Sequence, residues 1–144
     1  MARHVYNGFV RVFLYFLPFW LGGFEFTVHE AMNEKDPLSF LAPGLMLSAI
    51  ALLVPLCLAR KEPGPSATMT ARWMYRCDVT LIAVAFSCAI GGMPLWHLTL
   101  GASLSGNFDG WPAVHFFFFS ATTSIALMYY VFAVILTELK RLAT

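Results

Sequence analysis

The 144 residues are 59% hydrophobic, 16% aromatic and only 12% charged, with a mean hydropathy of +0.70, a departure from soluble composition toward membrane insertion. A net charge of +1 gives no reason to expect nucleic acid or a strongly acidic partner. Three cysteines, Cys57, Cys77 and Cys88, with no CxxC spacing argue against a disulfide framework or a zinc ribbon.

A short tail carrying Arg3, His4 and Arg11 leads into an apolar run from Val12 to about Val28. The run continues through Phe19, Trp20, Phe24 and Phe26 with no A-x-A cleavage pattern, so it reads as a first span and not as a signal peptide. Pro18 lies inside it and is expected to bend the helix, with neighbouring groups satisfying the freed carbonyl. The loop from His29 to Pro37 carries Glu30, Glu34, Lys35 and Asp36. Residues 38–59 give a second span, with Pro43 and Pro55 near its two ends where proline costs little. Arg60, Lys61 and the Pro/Gly-rich stretch after them mark a solvated linker that runs on to Arg76.

A third span is expected over about 79–97, with Asp78 at its start as a cap that complements the helix dipole. A glycine-rich loop with Asn107, Asp109 and Trp111 leads through Pro112 to a fourth span over about 115–137. Its core, Phe116 to Thr137, is 22 residues without a charge and is closed by Glu138-Leu139-Lys140-Arg141. At about 1.5 Å per residue such a helix covers the roughly 30 Å hydrocarbon core of a bilayer. The expected fold is a single all-α integral membrane domain, four transmembrane helices in a compact bundle.

Arg3, Arg11, Arg60, Lys61, Arg72, Arg76, Lys140 and Arg141 fall on one side of that arrangement, against Lys35 alone on the other. The positive-inside rule then puts both termini in the cytoplasm, and short loops suggest a bacterial inner membrane. Small residues supply candidate packing faces: Gly44 and Ser48 in the second span, Ala83, Ser87 and Gly91 in the third, Ser120 and Ser124 in the fourth. A faint echo, Gly22-Gly23 before His29 and Gly91-Gly92 before His97, hints at two related hairpins. Tyr129 and Tyr130 lie deep in the fourth span and require hydrogen-bond partners.

The residues able to do chemistry gather at the outer ends of the spans. Glu25 and His29 are four apart on one helix face, His97 closes the third span and His115 opens the fourth. An acid inside a span is a functional hypothesis by default, and this set could bind a proton, metal, haem or quinone. Histidine also belongs at membrane interfaces, and no HxH, HExxH or ExxH spacing supports a metal site. In outline the chain resembles small subunits of tripartite transporters, small oxidoreductase-associated membrane proteins and immunity proteins, and no motif selects among them. The sequence favours a non-catalytic accessory subunit or binding partner of another membrane protein or complex, with homo-oligomerisation as one form of partnering. No catalytic set or resident cofactor is expected, and a stand-alone enzyme is disfavoured. The alternative is a small transporter or redox subunit using the outer Glu/His cluster.

Overall fold

The computed structural model describes residues 2–32, 40–58, 62–105 and 120–142. Among these residues four α-helices follow one another: α1 (Ala2–Ala31), α2 (Leu41–Leu53), α3 (Met69–Ser105) and α4 (Ala121–Leu142), with a 3-10 turn, Val54–Cys57, continuing α2. No strand occurs among the described residues. Gly8–Val28 in α1, all of α3 and all of α4 are long and apolar enough to cross a membrane, and Leu41–Cys57 forms a shorter apolar helix. These are the helices of an integral membrane protein.

The short helix is the central one. Ala42, Leu45, Met46, Ala49, Ile50 and Leu53 are buried and recur every three or four residues, which places them on one broad face. That face packs against α4 and α3. Facing residues are small, with Ala49, Ala85, Ala126 and Ala133 all fully buried, so the backbones approach closely where the solvent is lipid and close packing must hold helices together. Pro55 has no N–H to give the preceding turn, and the chain tightens there into the 3-10 geometry. Together α2 and that turn rise about 28 Å, close to the hydrocarbon thickness.

The helix containing the expected third span is much longer than 79–97. At 37 residues α3 covers about 55 Å, so it projects well beyond a bilayer core. Nothing between Met69 and Cys77 breaks a helix, and the cap is Thr68, whose Oγ1 accepts the Ala71 N–H at 3.3 Å. Asp78 therefore lies in the third turn and does not cap α3, contrary to the expectation from sequence. In α4 the N-terminal cap is Ser120, whose Oγ accepts the Thr123 N–H at 3.4 Å and shares hydroxyl hydrogen bonds with Thr122 and Thr123. The fourth helix is described from Ala121, and residues 115–119 lie outside the described residues.

Both glycine pairs supply one residue to the contact with α2. A Cβ on Gly22 would meet the side chain of Leu41, and one on Gly92 would meet Ile50 and Tyr129. A Cβ on Gly23 or Gly91 would meet none of the described residues within 4 Å. The pairs are thus used in different registers, the first residue in one and the second in the other.

Candidate functional site

The helix end made by Pro55 creates the first notable site. A helix that stops leaves carbonyls without internal partners, and here Leu56 and Leu58 offer theirs to one side chain. Lys140 Nζ donates to the Leu58 carbonyl at 2.8 Å and also to that of Leu56. The same ammonium lies 3.6 Å from Asp78 Oδ1, an ion pair slightly too long to be a hydrogen bond. Asp78 is 0% exposed and Lys140 8%, and neither Asp78 oxygen accepts a hydrogen bond from the described residues. One lysine thereby ties α2, α3 and α4 together. Lys140 is the cation that offsets a carboxylate which burial would otherwise make very costly.

A second network binds α1 to the same end of α4. Tyr15 Oη donates to Glu138 Oε1 at 2.9 Å, Arg11 Nε lies 3.2 Å from that oxygen, and Arg141 Nε donates to Glu138 Oε2 at 2.8 Å. Tyr130, buried in α4, donates its hydroxyl to the Tyr15 carbonyl at 2.8 Å and stacks edge-on against Phe19 at 5.7 Å. The N-terminal half of α1 therefore lies beside the C-terminal end of α4. Hydrogen bonds to a charged group contribute about 1.5–3 kcal/mol each when well formed, less where solvent reaches them. Glu138→Ala is expected to loosen α1, read as faster backbone exchange around Arg11 to Phe19 with α2, α3 and α4 unchanged. Tyr129 Oη donates to the Cys88 carbonyl, so both tyrosines find the partners their burial requires.

The outer candidates are placed less completely. Glu25 is half-buried and lines a narrow cleft between α1 and α2 with Gly22, Leu41, Gly44 and Ser48, so the acid of the expected cluster and the packing pair of the second span meet. His97 is exposed on α3 and does not line that cleft. The side chain of His29 and the whole of His115 lie outside the described residues. Among the described residues no three His, Cys, Asp or Glu side chains are grouped to hold a metal ion.

The small-residue rows separate cleanly. Ser124 is fully buried in α4. On α3 the residues that face the bundle are Ala85, Ala89 and Gly92, whereas Ala83, Ser87 and Gly91 are exposed. At about 100° per residue the second row lies on the far side of the helix from the first. It is flanked along the helix by Val84 on one side and by Phe86 and Ile90 on the other, all three exposed. On α1 the outward face is the opposite in size: Phe9, Phe13, Phe16, Trp20 and Phe24 are each more than half exposed. Sequence spacing could find both rows on α3 but not which one the chain fills itself.

Comparison with protein-family models, with curated proteins and with solved structures returned no match. The reading of function therefore rests on the geometry.

Proposed function

We propose that this chain crosses a bacterial inner membrane with four helices, both termini cytoplasmic, and serves as a non-catalytic accessory subunit that docks another membrane protein. The carrying observation is the exposed row Ala83, Ser87 and Gly91 on α3. Lipid contact favours bulk, as α1 displays, while a lane of small side chains between larger ones suits the close approach of a second helix backbone. The buried polar groups support the same reading, because Lys140, Asp78, Tyr129 and Tyr130 are engaged in joining helices. The topology is supported by the excess of Arg and Lys at the end where Arg11, Arg72, Arg76, Lys140 and Arg141 lie.

The test is the composition of the particle released from its native membrane in mild detergent, with the mass and stoichiometry of everything that stays bound. A second protein retained by the wild type is expected to be lost at least tenfold on Ser87→Leu or Gly91→Leu, while the variant chain stays folded. A particle holding only this chain would overturn the reading. A bound metal, haem or quinone in that particle would point instead to Glu25, His29, His97 and His115.

A further inference from the structure

The charges at the Lys140 end are not all consumed. Asp78 is matched by Lys140, and Glu138 by Arg11 and Arg141. Two arginines one turn apart on α3 remain. Arg72 gives a single hydrogen bond to the Pro65 carbonyl at 2.7 Å, leaving most of its donors unused, and the Arg76 guanidinium has no partner among the described residues. Arg76 borders two hollows at once. On one side is a polar hollow under the linker, shared with Arg72, Tyr75 and a single acid, Glu62. On the other is an apolar cleft between α3 and α4 lined by Trp73, Cys77, Leu81, Leu139 and Leu142. Trp73 and Leu142 are well exposed in it, so the cleft opens outward to whatever surrounds the helices.

The helix α3 is some 25 Å longer than the hydrocarbon core is thick, and with the core set over the expected span 79–97 its first turns overhang it. On the membrane-spanning reading, Arg76, without a side-chain partner among the described residues, thus comes near headgroup level beside this open apolar cleft. We infer that this cleft is a binding site for one anionic phospholipid, its phosphate held by Arg76 with Arg72 in reserve and an acyl chain lying along Leu81, Leu139 and Leu142. Arg suits a phosphate because its planar fork offers paired donors, and Trp73 is the aromatic side chain that membrane–water interfaces favour. This rests on the membrane-spanning reading of the chain and not on its docking role.

The test uses the full chain in phosphatidylcholine vesicles that carry either dibrominated phosphatidylglycerol or dibrominated phosphatidylcholine at equal mole fraction. Bromine quenches tryptophan at short range, and the Trp73 signal is the difference between wild type and Trp73→Phe. Quenching of Trp73 by the anionic lipid is expected to exceed that by the neutral lipid, with apparent enrichment of about fivefold, the effect of one basic side chain near an anionic surface. Arg76→Gln, a change at an exposed position, is expected to bring the two lipids to parity. Excess inorganic phosphate should leave the preference in place, since the acyl chain also holds the lipid. Equal quenching by both lipids in the wild type, a preference that survives Arg76→Gln, or one that free phosphate abolishes would each overturn the lipid site. Quenching by neither lipid would overturn the membrane-spanning reading with it.

Discussion

Lys140→Met is expected to destabilise the helix assembly by about 3–5 kcal/mol, the cost of stranding one member of a buried ion pair. The change removes the only cation within reach of Asp78 among the described residues and at the same time frees the carbonyls of Leu56 and Leu58. Asp78 is 0% exposed and accepts no hydrogen bond from those residues, so among them Lys140 alone offsets a charge there. Asp78→Asn should cost less. Lys140 would keep both carbonyl acceptors, and its position in the last turn of α4 lets the ammonium reach out toward headgroups. The double variant should recover a large part of the loss, giving a coupling energy of about 1–3 kcal/mol between the two sites. Equilibrium unfolding in mixed micelles of the four proteins measures this cycle. Equal effects of the two single changes with no coupling would show that the 3.6 Å pair contributes nothing beyond side-chain packing.

That pair is not legible in the sequence, although the helices that carry it are. Long apolar runs identify the helices of α1, α3 and α4, because a bilayer imposes a length and a composition that a single chain must display. Asp78 opens the apolar run but not the helix, which begins nine residues earlier at Met69. Hydropathy reports the bilayer core, while the cap at Thr68 reports the helix, and ten residues separate the two signals. The partner of Asp78 is 62 positions away in α4, so only the packing of α3 on α4 brings the pair together. Lys140 reads as one more cytoplasmic charge until its carbonyl acceptors are seen. The tyrosines are the contrasting case, since their need for partners is written in the residue type and only the identities, the Cys88 and Tyr15 carbonyls, await the fold. For the Glu25 cluster the fold adds one neighbourhood, the cleft with Gly44 and Ser48.

Gly91 and Gly92 are adjacent, yet the same substitution is expected to act on them in different ways. A Cβ at Gly92 would stand 2.5 Å from Tyr129 Oη and 3.0 Å from Ile50 Cγ1. The tyrosine can withdraw only by giving up its hydrogen bond to the Cys88 carbonyl, and Ile50 is buried in the central helix. Gly92→Ala should therefore cost about 1–3 kcal/mol as an overpacked contact, and Gly92→Leu should prevent α3 from seating on α2 and α4. At Gly91 none of the described residues lies within 4 Å of the added carbon, so alanine there gains up to about 1 kcal/mol from its better helix propensity. Even Gly91→Leu leaves the chain's own packing intact. Its effect falls on the outward lane with Ala83 and Ser87, where a bulky side chain blocks a second backbone. Unfolding and partner retention measured side by side on the same two positions thus separate the face that builds the bundle from the face proposed for docking. If Gly91→Leu unfolded the chain as readily as Gly92→Leu, the outward lane would be part of the bundle's own packing, and its assignment as a docking face would fail.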